Sequence, residues 1–325
     1  MTDRHLVIGA GPVGRHVAQL LAARGSEVVV ATRSGTDTGI TGVTHLRLDA
    51  TDTDALSAAA DGMSVLHNCA NPGDYTTWDT FWPPLASALL VAAERSGAVY
   101  AITGNLYPYG PVDGSMHEGL PDAATDHKGV LRAQMWADAK ALHDDGRIRA
   151  VEVRGSDYVG PGIGENGHVS RQLPGLRKGR RAWVIGRKDQ PHTFTDVLDV
   201  ARLLIAAAED ESALGRTWNV PSNPPVTQQQ ALTDVMAACG RPAPKVSSIP
   251  MPVFRAMGRF VPIVRELDEL TYQWTRPYVL DDSAARQHFS MEPTPWDEVC
   301  RRTAGVAQTP MTENISSRVS QPIDR

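Results

Sequence analysis

An α/β fold, a doubly wound parallel sheet with a smaller C-terminal substrate domain, is predicted by three features of this sequence. Short apolar runs alternate with helical patterns through the first half, the sign of βαβ units. A glycine-rich turn joins the first apolar run to the first helical pattern. The second half then changes character, with more Pro and shorter elements.

Leu6 to Ile8 reads as a buried strand. Val13, Val17, Leu20 and Leu21 follow on one face of a helix, and Gly25 ends it. Val28–Ala31, Val43–Leu48 and Ser64–His67 are the next three strands. A long helix is expected from Pro83, a residue tolerated in a first turn, to Ser96. Ala98–Ile102 is the fifth strand, His127 to Asp145 a helix, and Ala150–Arg154 the sixth strand. Beyond these, Thr227 and Gln230 form a capping-box pattern, before a helix whose inner face is Leu232, Val235, Met236 and Cys239. The amphipathic stretch from Phe254 to Leu267 fits a lid or core-facing helix better than a membrane contact. Residues 1–158 form the expected dinucleotide-binding domain, with a returning segment near 187–208. Residues 159–304 belong mainly to the substrate domain, and the polar residues 305–325 read as a flexible tail.

At 325 residues the chain can bury a sizeable core without staples. A net charge of -5 with interspersed signs argues against a nucleic-acid partner. Three well-separated cysteines form no disulfide or metal pattern, so no metal is expected and a reducing, cytoplasmic setting is the simplest reading. No apolar run is long enough to span a membrane, and the first strand is too short for a signal segment.

Gly9-Ala10-Gly11-Pro12-Val13-Gly14 is a GxGxxG between a strand and a helix. Gly9 permits the tight turn, Gly11 lets a pyrophosphate approach, and Gly14 brings the helix close to the strand. Pro12 and Val13 open that helix, whose free N–H groups and dipole favour the phosphates. The second strand ends in Ala31-Thr32-Arg33-Ser34, without the carboxylate that would accept from a ribose 2′-hydroxyl. Arg33 and Ser34 instead suit a 2′-phosphate, which makes NADP(H) the expected cofactor; the plainer alternative is a surface loop. Asp49 is placed to accept from the adenine amino group or to serve as a loop cap. The small residues around Ala70 leave room for the adenosine ribose.

Together with Val153-Arg154, Gly160-Pro161-Gly162, Phe194 to Ala201 and Trp218-Asn219-Val220, these residues make the chain resemble the NAD-dependent epimerase/dehydratase family, the extended short-chain dehydrogenase/reductases. The resemblance implies a Rossmann domain and a catalytic Ser or Thr after the fifth strand. It also implies a YxxxK on the next helix. Thr103 matches the hydroxyl, although a turn or cap role is also open. The YxxxK is replaced: Lys128 stands at the Tyr position and Arg132 at the Lys position. Arg132 would hold cofactor ribose hydroxyls. Lys128 would act as general acid only if burial beside Arg132 lowered its pKa from about 10.4; otherwise it is a solvated lysine at a helix start. Tyr107, Tyr109 and Tyr158 are alternative hydroxyls, and Tyr75, Trp78 and Trp82 are expected along the substrate side. Asp157 stands where the family usually has Asn, which makes a phosphate-bearing sugar-nucleotide a poor substrate.

The resulting expectation is an NADP(H)-dependent oxidoreductase acting on a small alcohol or carbonyl compound. The alternatives are an epimerase or dehydratase with tightly bound NADP, and a non-catalytic NADP(H) sensor. A homodimer through the helices at 83–96 and 127–145 is a further implication of the resemblance.

Overall fold

A computed structural model describes residues 3–306. The chain runs β1 (Arg4–Ile8), α1 (Pro12–Ala23), β2 (Glu27–Thr32), β3 (Val43–Arg47), α2 (Thr53–Ala60) and β4 (Val65–Asn68). It continues through a 3-10 turn (Tyr75–Thr77), α3 (Trp78–Ser96), β5 (Val99–Asn105), β6 (Ser115–Met116), α4 (His127–Asp144) and β7 (Arg149–Gly155). Next come β8 (Asp157–Val159), α5 (Leu173–Arg177), β9 (Ala182–Ile185), β10 (Pro191–His192), β11 (Phe194–Asp196), α6 (Val197–Glu209) and β12 (Thr217–Asn219). The last described elements are β13 (Val226–Thr227), α7 (Gln228–Ala238), β14 (Val246–Ile249), α8 (Met251–Met257), α9 (Pro262–Asp268), α10 (Tyr272–Thr275), β15 (Val279–Leu280), α11 (Ser283–Phe289) and α12 (Trp296–Thr303).

Seven parallel strands in the order β12-β7-β5-β4-β1-β2-β3 form the main sheet. Both faces are covered, as an all-parallel sheet requires. On one face Val17 and Leu21 of α1 pack with Val200, Leu203 and Leu204 of α6. On the other, Leu56 of α2, Trp82 and Leu89 of α3, and Met135 and Trp136 of α4 pack on Leu6, Leu66, Tyr100 and Ile102. Acidic and hydroxyl side chains start the helices: Asp52, Asp126, Asp196 and Thr227 each accept from a first-turn N–H of α2, α4, α6 and α7. Such a cap contributes about 1 kcal/mol.

Several elements differ from the sequence-based expectation. Helix α3 starts at Trp78, so Pro83 and Pro84 lie inside it. Trp78 and Trp82 are buried in its first turns, and that packing outweighs the prolines' preference for a helix start. Strand β5 is longer than expected because Thr103, Gly104 and Asn105 still pair with Val153, Arg154 and Gly155; Thr103 is thus within the strand, not after it. The chain returns to the main sheet beyond 187–208, since β12 pairs with β7. The stretch from Phe254 to Leu267 is two short helices, with Phe254 buried and Phe260 exposed. Helix α9 packs against the 3-10 turn at Tyr75–Thr77. The expected tail lies, from 307 onward, outside the described residues. No described helix is long and apolar enough to cross a membrane.

Candidate functional site

The strand order reverses between β1 and β4, and at such a switch point the loops beyond the strands' C-terminal ends part to leave a crevice. A cavity of about 490 Å³ occupies that place. Gly9 to Val13 line one end of it, together with Arg33 and Asp49. The other end is lined by Tyr75, Trp78, Trp82, Thr103, Tyr107 and Tyr278.

The glycine loop fits a dinucleotide on steric grounds. Gly9 has φ +96°, and a Cβ there would sit 2.9 Å from the Ala70 backbone. A Cβ on Gly14 would lie 2.0 Å from the Gly9 carbonyl oxygen, so only glycine lets α1 approach β1. A Cβ on Gly11 would meet nothing within 4 Å, which leaves the backbone open to an approaching phosphate. Pro12 and Val13 open α1, and Ala70 lines the cavity across from them. Arg33 is exposed and lines the cavity, with Thr32 as the last residue of β2. Ser34 does not line it; its hydroxyl meets Thr36 Oγ1 at 2.7 Å. Asp49 lines the cavity, but its Oδ1 accepts from the Thr51 N–H and hydroxyl at 3.0 and 2.8 Å. Those two bonds hold its carboxyl below the usual range. Asp49 therefore acts as a turn residue with its second oxygen left over.

At the other end, the tip of β5 is held from two sides. Arg132 Nη2 donates to the Thr103 carbonyl at 2.7 Å, and its guanidinium stacks over the Trp82 ring at 4.7 Å. The Tyr158 hydroxyl donates to the Gly104 carbonyl at 2.5 Å. Below them, Arg154 donates to Glu152 at 2.7 Å and to both oxygens of Asp122 at 2.6 and 2.9 Å. The Thr103 hydroxyl reaches only the Cys69 sulfur, at 3.7 Å. The Tyr75 and Tyr107 hydroxyls bond each other at 2.9 Å.

Lys128 departs from expectation. It does not line the cavity. Its Nζ donates to Glu266 at 2.7 Å and to Glu269 at 2.6 Å, and it stands 5.9 Å from the Tyr75 ring centroid. Burial works against its charge, but the two carboxylates outweigh burial and raise its pKa instead of lowering it. An ammonium so held is no general acid near neutrality; it ties the start of α4 to α9 and Glu269. The partners lie 138 and 141 residues away, beyond any local pattern.

Seven lining residues carry buried polar atoms without a hydrogen-bond partner among the described residues: Nε1 of Trp78 and of Trp82, Arg132 Nε, Ser156 Oγ, Asp157 Oδ2, both side-chain ends of Gln273, and Tyr278 Oη. Such groups are costly to bury unless something bonds them, so their convergence on one cavity marks a ligand site. Sequence reasoning missed Ser156, Gln273 and Tyr278, because two of them come from the small domain.

Comparison with known proteins agrees with this geometry. The family model described as "NAD dependent epimerase/dehydratase family" matches residues 5–220. No curated protein matches the chain. Among solved structures, UDP-glucose 4-epimerase from Thermus thermophilus in complex with NAD is 21% identical, with 93% of this chain and 98% of that one covered and a TM-score of 0.75. UDP-N-acetylglucosamine 4-epimerase from Methanobrevibacter ruminantium, in complex with UDP-N-acetylmuramic acid, is 15% identical, with 94% and 98% covered and a TM-score of 0.76. The dTDP-glucose 4,6-dehydratase of Bacillus anthracis with NAD is 14% identical, with 94% and 96% covered and a TM-score of 0.75. At these identities the structures speak for the fold. The family match spans well over half of the chain, and the protein belongs to the NAD dependent epimerase/dehydratase family.

Proposed function

We propose that this protein is an NADP(H)-dependent oxidoreductase acting on a small, uncharged alcohol or carbonyl compound of about aromatic-ring size. The observation that carries this reading is the continuity of one cavity, from Arg33 at the end of β2 to the hydroxyls of Thr103 and Tyr107. The glycine loop would hold the pyrophosphate and Arg33 the 2′-phosphate. Arg132 Nε is available for a ribose hydroxyl. The bound nicotinamide supplies or accepts the hydride. Thr103 and Tyr107 orient the substrate oxygen, while Tyr75, Trp78 and Trp82 give its body an apolar, flat wall. Burial first, and the neighbouring Tyr75 and Asp157 after it, push the Tyr107 phenol well above its ordinary value, so it serves as a hydrogen-bond donor and not as the acid.

Steady-state NADPH oxidation across a panel of aromatic and aliphatic ketones and aldehydes tests the reading. Tyr107→Phe is expected to raise KM and lower kcat, together about tenfold, the scale of one lost orienting hydrogen bond. Tight NADPH binding without turnover of any carbonyl would overturn the oxidoreductase reading. Epimerisation or dehydration with tightly held NADP is the second reading, favoured by the named activities of the solved relatives. It would show as substrate conversion without net loss of NADPH.

A further inference from the structure

Behind the aromatic end of the cavity lies a charged group that the proposed reaction has not used. Asp157, at the start of β8, lines the cavity. Its Oδ2 lies 2.7 Å from Nε2 of His192 on β10 and 3.3 Å from Nε2 of His168. Arg171 closes the group behind His168.

The neighbours of each ring decide where the protons are. The Gln273 carbonyl oxygen lies 3.1 Å from His192 Nδ1. A carbonyl can only accept, so Nδ1 carries a hydrogen. Were Nε2 bare, its lone pair would face a carboxylate oxygen at 2.7 Å. The His192–Asp157 pair therefore holds one further proton. The contact is off the N–H line, for neither atom makes an aligned hydrogen bond, so the short distance carries this argument. His168 is different. An Arg171 N–H points at its Nδ1 and can only donate, so that ring is neutral, with its hydrogen on Nε2 toward Asp157. Burial holds His168 well below its ordinary value, with Arg171 in the same direction and Asp157 opposed. Burial would raise the Asp157 carboxyl, but its neighbours outweigh burial and hold it below the usual range. The groups that lower it are, largest first, His168, whose Nε2 hydrogen faces it, then His192 and Arg171. The other titratable groups in the field of Asp157 are the phenols of Tyr75, Tyr107 and Tyr278, all raised by burial first.

We propose that Asp157 delivers the proton to the substrate oxygen and that His192 is the positioning residue that keeps the pair charged with that proton. The proposal rests on the carbonyl/alcohol reading of the cavity. When hydride from a reduced nicotinamide reaches a carbonyl carbon, the C=O π bond breaks and the oxygen becomes an alkoxide. The pair gives up its one proton, the new O–H bond forms, and His192 is left neutral with a lone pair against the Asp157 carboxylate. Repulsion in that state favours uptake of a proton from water. Alcohol oxidation runs the same transfer backwards. The arrangement assigns to a carboxylate–imidazole pair the proton work that the replaced YxxxK cannot do.

The test has two arms. Histidine-labelled protein without cofactor is followed by NMR at neutral pH, where the His192 ring is expected to carry hydrogen on both nitrogens, as its contacts with the Gln273 carbonyl and Asp157 require. Asp157→Asn is expected to abolish that signature. In the second arm, Asp157→Asn lowers kcat about a hundredfold, with KM and NADPH affinity within about twofold. His192→Gln lowers kcat less and removes one limb of the pH–rate profile. A His192 ring with hydrogen on one nitrogen only in the wild-type protein would overturn the proposal, as would an unchanged kcat in folded Asp157→Asn. If the wild type reduces no carbonyl compound, the functional reading fails by itself, and the NMR arm still decides whether the pair stores a proton.

Discussion

Arg154→Met is expected to destabilise the protein by about 3 kcal/mol, which lowers the melting temperature by roughly 5 °C. Arg154 and Glu152 are each 1% exposed, and Arg154 also grips Asp122. Burial works against the Arg154 charge, yet Glu152 and Asp122 outweigh it and raise its pKa. Removing the guanidinium leaves Glu152 charged and buried under Gly104, where a Cβ would stand 2.6 Å from its carboxylate. Glu152 is already raised by burial, with Arg154 and Arg132 opposing it, so Arg132 softens the loss. The sign with pH follows. In the variant Glu152 has a folded pKa above its unfolded value, so it binds a proton more readily in the folded state. The deficit is therefore smallest in acid and grows as pH rises through that range. Thermal melts from about pH 4 to 8 check this. A double change of Arg154 and Glu152 to Met should recover much of the stability, because the cost lies in the orphaned charge. A single variant that melts within about 2 °C of the wild type at neutral pH would contradict the account.

Arg33→Asp is expected to weaken NADPH binding about a hundredfold and to change NADH binding by less than about threefold. A bidentate guanidinium–phosphate contact contributes two charge-assisted bonds, each about 1.5–3 kcal/mol, and the exposed position of Arg33 discounts them. The introduced carboxylate would also repel a 2′-phosphate while offering an acceptor to a free 2′-hydroxyl. Equilibrium titration of both cofactors by fluorescence reads the ratio. Equal losses for the two would remove Arg33 from the role.

These expectations show where the sequence was informative. The glycine loop, the short strands and the amphipathic first helix were legible because each is a local pattern, set by the sterics of Gly9 and Gly14 or by apolar spacing. The cofactor half of the site follows from them, since its lining residues come from loops that directly continue predicted strands. The chemical half was less legible. Lys128 reads as a misplaced general acid until Glu266 and Glu269 are seen beside it. Asp157, the His168–Arg171 turn, His192 and Gln273 lie in four separate stretches of chain, and only tertiary packing brings those stretches together. Helix α3 was misjudged for a similar reason, as buried Trp78 and Trp82 extend it past its prolines.

Isothermal titration calorimetry of the cofactor-stripped protein with NADPH and with NADH tests the central claim most directly. The account predicts heat for both and a dissociation constant for NADPH at least about tenfold lower, the share of one gripped phosphate. No heat for either dinucleotide, or tighter binding of NADH, would contradict it.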